Sequence, residues 1–137
     1  MMIFLASSVT LRASSAALAD RLEAAGHVVC LPCNPEGRTE LEIFQDNANE
    51  IERCDVVFAL WSGASDGTPM DVAMAIALGK PVYVTLIASA GLLQHRKQYP
   101  NDVLMRRAWA LFGELPKIEE WWEEQAPAAT HGGDSGK

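Results

Sequence analysis

The residues best suited to chemistry in this chain lie within positions 65–81, shortly after the apolar run 55–60. The pattern predicts a strand, a turn at 66–68 and a helix that carries a carboxylate, Asp71, in its first turn. In an open α/β sheet, ligands bind at the edge formed by the carboxyl ends of the strands. Asp71 is therefore predicted to lie at a ligand-binding edge.

Two interpretations of Asp71 follow from these residue types. Gly67 permits close approach of the backbone to a ligand, and Thr68 is suited to cap the helix. The positive end of the helix dipole would favour the ionised form of Asp71, which suits a nucleophile better than a general acid. The alternative is that Asp71 is a capping acid at the third helical position and has no chemical role.

A second group of polar side chains follows the first predicted strand. Ser7 and Ser8 come after the apolar run 2–6, close to the predicted start of a helix near Thr10. Backbone N–H groups at such a helix start, with hydroxyls beside them, can hold a phosphate or a carboxylate. The alternative is simple capping of the helix by Ser8 or Thr10.

The cysteines and histidines do not indicate a redox, metal or triad site. Cys30 and Cys33 have C-x-x-C spacing, but a loop pattern follows Cys33, whereas the redox motif usually starts a helix. The three cysteines of the chain cannot all pair with one another. Neither His27 nor His95 has an evident catalytic partner in the sequence. We expect no metal and no cofactor.

Composition narrows the class of protein. The formal net charge of −7 opposes binding to a nucleic-acid backbone, which favours a small-molecule ligand over a polymer. No apolar run is long enough to cross a bilayer, and residues 1–8 lack the basic region of a signal peptide. We therefore expect a cytoplasmic protein with no membrane or nucleic-acid partner.

Apolar runs alternate with helical periodicity, which predicts β-α-β units and a parallel sheet covered on both faces. One domain is expected over residues 1–125, followed by a disordered tail at 126–137. Predicted strands cover 2–6, 27–31, 55–60 and 82–87. Predicted helices cover 10–25, a segment capped by Thr39 and Glu42, 70–78, a short stretch at 92–99, 102–112 and 116–124.

Four segments together resemble the nucleoside 2-deoxyribosyltransferase family, which includes deoxynucleoside monophosphate N-glycosidases. They are I-F-L-A-S from Ile3, N-A-N-E-I-E-R-C-D from Asn47, the V-V-F-A-L that follows, and G-T-P-M-D-V-A-M-A-I-A-L-G-K-P-V from Gly67. The resemblance covers roughly residues 2–87. It implies a flavodoxin-like, three-layer α/β sandwich around a central parallel sheet of four to five strands.

The resemblance also implies an activity, namely cleavage of the N-glycosidic bond of a nucleoside or nucleotide. A carboxylate attacks the anomeric carbon, and the glycosyl-enzyme passes its sugar to another base or to water, as in retaining glycosidases. Asp71 stands where the family has a nucleophilic glutamate. Asn47, with Asp46 beside it, stands where the family has an aspartate, so Asn47 or Asp46 is the further candidate catalytic residue, expected to orient the sugar or the base. The residues that the resemblance places near the substrate are Phe4, Ser7, Ser8, Ser65, Asp66, Gly67 and Thr68.

These substitutions leave a second functional hypothesis open. Asp71 is one methylene shorter than glutamate, and the amide of Asn47 cannot donate or accept a proton as a carboxyl group does. The alternative is a catalytically degenerate nucleotide-binding module that acts as a sensor or a sequestering protein. The resemblance further implies a homo-oligomer, and Trp109, Trp121 and Trp122 are candidates either for its interface or for packing within the chain.

Overall fold

Four parallel strands form the central sheet of the protein, in the order β2-β1-β3-β4. The computed structural model describes residues 1–63, 67–87 and 103–125. The strands are β1 (Met2–Ala6), β2 (Val28–Cys30), β3 (Val56–Trp61) and β4 (Val82–Leu86). All six residues of β3 are buried, as expected for a central parallel strand covered on both faces.

Helices cover both faces of this sheet. They are α1 (Arg12–Ala24), α2 (Glu40–Arg53), α3 (Gly67–Ala77), α4 (Val103–Glu114) and α5 (Ile118–Gln125), and a 3-10 turn at Val9–Leu11 precedes α1. Side chains of α2, α3 and α4 pack with one face of the sheet, and those of α1 and α5 pack with the other. The predicted α/β class with a parallel sheet is confirmed. A parallel bridge between Val84 and Lys117 adds one further contact beside β4.

Local sequence signals set several of these boundaries. Thr39 and Glu42 form the predicted capping box at the start of α2. Gly26 and Gly79 have φ angles of 93° and 74°, and they follow the ends of α1 and α3. Both helices end in the paired backbone hydrogen bonds typical of a glycine stop. These boundaries follow from the preferences of single residues, so the sequence was sufficient to find them.

The start of α3 differs from the prediction. The helix begins at Gly67 rather than at position 70, so Thr68 is its second residue and does not cap it. Pro69 is tolerated there because the first N–H groups of a helix have no partner within the helix, and proline has no N–H to lose. Asp71 is consequently the fifth residue of α3 and lies outside its first turn. Neither the predicted first-turn position of Asp71 nor its alternative role as a capping acid is correct.

Other predicted segments agree within a few residues or cannot be compared. Helix α1 begins two residues after the predicted Thr10, because the 3-10 turn comes first. The predicted short helix at 92–99 and the predicted tail at 126–137 lie outside the described residues. Within the described ranges, no helix combines the length and the apolar character needed to cross a membrane.

Two cysteines lie at the ends of elements and one lies in a loop, and Cys54 directly follows the last residue of α2. Cys30 ends β2, and Cys33 lies in the loop before α2, seven residues ahead of the first helical residue, Glu40. All three cysteines are free thiols. Burial and a hydrogen bond with Cys30 raise the pKa of Cys54 to about 12, so this thiol stays protonated and unreactive.

Two adjacent tryptophans of α5 are expected to contribute unequally to stability. Trp121 is 2% exposed, and its ring lies 4.9 Å from that of Phe58 in the core, whereas Trp122 is half-buried beneath the guanidinium of Arg21. We expect Trp121→Ala to lower the free energy of unfolding by about 3–5 kcal/mol. Trp122→Ala should lower it by about 1–2 kcal/mol. Urea unfolding of both variants checks this, and equal losses would contradict the packing assigned to Trp121.

Candidate active site

The strand order places a switch point between β1 and β3. The chain leaves β1 for β2 on one side and then crosses to β3 on the other, so the connections diverge at the carboxyl ends of the two central strands. In open α/β sheets, the crevice at such a point is where ligands bind. Ser7 and Ser8 follow β1 there, and Ser62, which is 4% exposed, follows β3.

Helix α3 buries Asp71 in the layer on the α2 side of the sheet. The side chain is 6% exposed, and its neighbour Val72 and the residue four positions on, Ala75, are fully buried in the core. Asp71 thus lies on the inner part of the helix surface, where α3 packs against α2. A carboxyl group in this place has little access to water.

Asn47 of α2 faces Asp71 directly. Its Nδ2 donates to Asp71 Oδ1 at 3.5 Å, and its side chain is 5% exposed. The inward orientation follows from helical spacing, because Asn47 and the fully buried Ile51 are four residues apart and share one face of α2. The structure therefore brings together two of the three residues predicted for catalysis.

The third predicted catalytic residue, Asp46, lies elsewhere. Its carboxylate pairs with the guanidinium of Arg38, and its side chain is 40% exposed. One residue corresponds to about 100° of rotation around a helix, so Asp46 and Asn47 cannot face α3 together. In the described structure Asp46 forms an ion pair at the surface. Asp46 therefore does not supply the carboxyl group that the amide at position 47 lacks.

Burial dominates the acidity of Asp71. Desolvation raises the pKa of Asp71 to about 7, and the hydrogen bond from Asn47 lowers it in part. The sequence had indicated the opposite, because Asp71 was expected in the first turn of α3, where the helix dipole favours a carboxylate. That field falls off within the first turn, and Asp71 lies beyond it. The expectation of a dipole-stabilised carboxylate is therefore wrong.

A contact missed by sequence reasoning holds Asn47 from its other side. The backbone N–H of Cys33 donates to Asn47 Oδ1 at 2.8 Å. Cys33 lies in the loop that follows β2, which ends at the same edge of the sheet as β1 and β3. The position of this loop after a predicted strand was the available signal. Its partner lies 14 residues away, so spacing alone did not identify it.

Ser8, the second serine after β1, pairs its hydroxyl group with that of Thr10. Ser8 Oγ and Thr10 Oγ1 are 2.8 Å apart, and the carbonyl of Ser8 accepts from the N–H of Leu11 at 3.0 Å. The residue that caps α1 is Leu11, and it makes no side-chain capping bond. The alternative explanation, that Ser8 or Thr10 caps this helix, is therefore wrong.

The remaining predicted site residues divide into three groups. Thr68 is 2% exposed in the first turn of α3, and Gly67 is exposed at its start. Phe4 is fully buried in the core on the α2 side of the sheet, so its ring packs the scaffold beneath the site. Ser65 and Asp66 lie outside the described residues.

The arrangement can perform acid, base or nucleophilic chemistry. A carboxyl group with a pKa near 7 exchanges its proton at neutral pH, and buried groups with strongly shifted pKa values are frequent at functional sites. In the part of the chain that the structure describes, no group of three or more His, Cys, Asp and Glu side chains is arranged to hold a metal ion. The chemistry supported by the described residues is that of Asp71 itself.

Comparisons with known proteins agree with this fold. A CMP N-glycosidase from Clostridium botulinum has a similar structure, with a TM-score of 0.52 and 22% identity over 72% of this chain and 82% of that one. A 2-deoxyribosyltransferase from Leishmania mexicana also scores 0.52, with 21% identity over 62% of this chain and 63% of that one. At these identities the likeness concerns the fold. Comparison with curated proteins gave no significant match.

The sequence itself matches a family model. The model, described as nucleoside 2-deoxyribosyltransferase, matches residues 3–104 of the 137. The matched region contains β2, β3, β4 and all but the first residue of β1, together with Asn47 and Asp71. The protein therefore belongs to the nucleoside 2-deoxyribosyltransferase family.

Proposed function

We propose that the protein cleaves the N-glycosidic bond of a nucleoside or nucleotide, with Asp71 as the nucleophile. The observation that carries this proposal is the buried Asp71 carboxyl group, which faces Asn47 where α3 packs against α2. Membership of the family supports it, as do the names of the two similar structures, a CMP N-glycosidase and a 2-deoxyribosyltransferase.

The reaction proceeds in two displacements at the anomeric carbon. An oxygen of the Asp71 carboxylate attacks C1′, the C1′–N bond breaks, and the base leaves with the bonding electrons and takes up a proton. A second nucleophile, either another base or water, then attacks C1′ of the glycosyl ester. The ester C–O bond breaks, and the Asp71 carboxylate is restored.

The environment of Asp71 suits the first displacement. A carboxylate with a raised pKa is more basic and a stronger nucleophile than an ordinary one, and it meets the sugar with little hydration to lose. The burial that raises the pKa also keeps part of the population protonated below about pH 7. The rate of base release should therefore rise with pH through the neutral range.

The amide of Asn47 is suited to bind the substrate beside the Asp71 carboxyl group. Its amide can hydrogen-bond a sugar hydroxyl or a base, but it cannot protonate the departing base as an acid would. Water is therefore the proposed proton source for the leaving base. The same feature favours the second candidate function, a nucleotide-binding module without turnover.

A substrate screen separates these two functions. Deoxynucleosides, their 5′-monophosphates and CMP are incubated with the protein, with and without a second base as acceptor, and free base is measured by chromatography. Release of base that is lost in Asp71→Asn but kept in Asp20→Asn, a change at an exposed aspartate of α1, supports the enzyme. Nucleotide binding without release of base from any substrate would support the binding module instead.

A homo-oligomer is proposed as the working form of the protein. Three exposed apolar residues, Met70, Ala73 and Ala77, follow one another at helical spacing along the outer surface of α3, which also carries Asp71. A second copy that covers this surface would lie close to the site. We expect light scattering to show an oligomer and Ala73→Glu to weaken it. A monomer at micromolar concentration would contradict this expectation.

A further inference from the structure

The side-chain amide of Asn47 is engaged at both of its polar atoms. Its Oδ1 accepts the backbone N–H of Cys33 at 2.8 Å, and its Nδ2 faces Asp71 Oδ1 at 3.5 Å. A backbone N–H can only donate, so it requires the oxygen of the amide on its side. That requirement turns the nitrogen of the amide toward Asp71.

We infer that Cys33 is a positioning residue, whose backbone N–H fixes the orientation of the Asn47 amide and so makes Asn47 a hydrogen-bond donor to Asp71. The consequence for catalysis rests on the proposed function of Asp71. The orientation itself rests only on the contacts among the three residues.

The orientation of this amide decides which form of Asp71 is stabilised. As observed, Nδ2 offers a proton, which favours the carboxylate. If the amide rotated by 180°, Oδ1 would face Asp71 and could be satisfied only by the protonated acid. Because burial already favours the protonated acid, the Cys33 N–H opposes the effect of burial through Asn47.

The loop that carries Cys33 is fastened to the same face of α2 as Asn47. The thiol of Cys33 donates weakly to the carbonyl of Ile43 at 3.8 Å, and Ile43 precedes Asn47 by four residues. Asn34 Oδ1 accepts the N–H of Glu36 at 3.1 Å, which closes a turn directly after Cys33. These hydrogen bonds hold the backbone segment that carries the N–H of Cys33 in place beside Asn47.

Two substitutions at Cys33 separate its backbone from its side chain. Cys33→Pro removes the N–H, whereas Cys33→Ala keeps it and loses only the thiol. The titration midpoint of the Asp71 carboxyl group is measured by ¹³C NMR in both variants. We expect Cys33→Pro to raise this midpoint by roughly half a unit to one unit, as for the loss of one hydrogen bond. Cys33→Ala should leave it unchanged, and equal midpoints in the two variants would overturn the inference.

A second variant keeps the test decisive if Cys33→Pro does not fold. Asn47→Leu has similar volume and removes both polar atoms, so it should speed hydrogen exchange of the Cys33 N–H and raise the Asp71 midpoint. Unchanged exchange at Cys33 would overturn the inference. Neither measurement uses a substrate, so this result is independent of whether the protein releases base.

Turnover provides the catalytic readout. In Cys33→Pro, the rate of base release at pH 7 should fall several-fold and recover at the high-pH plateau, because only the ionisation of Asp71 has changed. A uniform loss at every pH would indicate general damage and would contradict positioning. If the wild type releases no base while the NMR midpoint shifts as expected, the proposed function fails and the inference stands.

Discussion

Replacing Asp71 with asparagine is expected to slow the release of base by about 10³-fold or more, because an amide cannot attack the anomeric carbon. The substitution keeps the volume of the side chain, and the new carbonyl oxygen can still accept from Asn47 Nδ2. Binding of the nucleotide should change little. Steady-state rates, with affinities from calorimetry, measure the two effects separately.

Two further variants make the loss of activity specific. Asp71→Glu keeps the carboxylate and extends it by one methylene, so it should retain release of base at a measurable rate. Asp20→Asn removes a charge at an exposed position of α1 and should not change the rate. If Asp71→Asn released base as fast as the wild type, Asp71 could not be the nucleophile.

The same substitution should stabilise the folded protein above neutral pH. The folded-state pKa of Asp71, about 7, lies above its ordinary value of 3.8, so the folded protein binds more protons than the unfolded chain between these two pH values. The contribution of Asp71 to the stability of the wild type therefore falls as the pH rises from about 4 to about 7. An asparagine side chain does not titrate, so the Asp71→Asn variant escapes that loss. The expected gain at pH 8 is at most about 4 kcal/mol, from about three pKa units.

Urea unfolding at several pH values between 4 and 8 measures this gain. The free energies of unfolding of wild type and Asp71→Asn should be similar near pH 4 and separate steadily up to about pH 7, with no further separation above it. The Asp20→Asn variant should show no such divergence. Parallel curves for wild type and Asp71→Asn would mean that Asp71 is well hydrated in the folded protein.

Both expectations follow from one property of Asp71, because the buried charge that the proposed reaction needs also destabilises the fold. A carboxyl group that is 6% exposed, with one hydrogen bond of 3.5 Å from Asn47, destabilises the fold whenever it is charged. A residue with no function at this position would be replaced by an amide or an apolar group with a gain in stability. Loss of activity together with a gain in stability in Asp71→Asn would identify the position as functional rather than structural.

The sequence was sufficient for features that depend on neighbouring residues. The apolar runs of β1, β3 and β4 marked the central strands, and Thr39 with Glu42 marked the start of α2. Each depends on side-chain type within a few positions, so no distant contact was needed. The start of α3 was misplaced because Pro69 is compatible with the first turn of a helix as well as with the turn before one.

Family resemblance and local pattern together were sufficient to predict a parallel α/β sheet and to single out the carboxyl group of Asp71, on the helix after the third strand, as the candidate functional group. Only the tertiary structure decided that Asn47 rather than Asp46 faces this group, and that the backbone N–H of Cys33 donates to Asn47. It also decided that burial raises the pKa of Asp71 where a helix dipole had been expected to lower it. These properties arise where α2, α3 and the loop after β2 meet and exclude water. The residues that meet there are distant in the chain, because Cys33 and Asn47 are 14 positions apart and Asn47 and Asp71 are 24 positions apart.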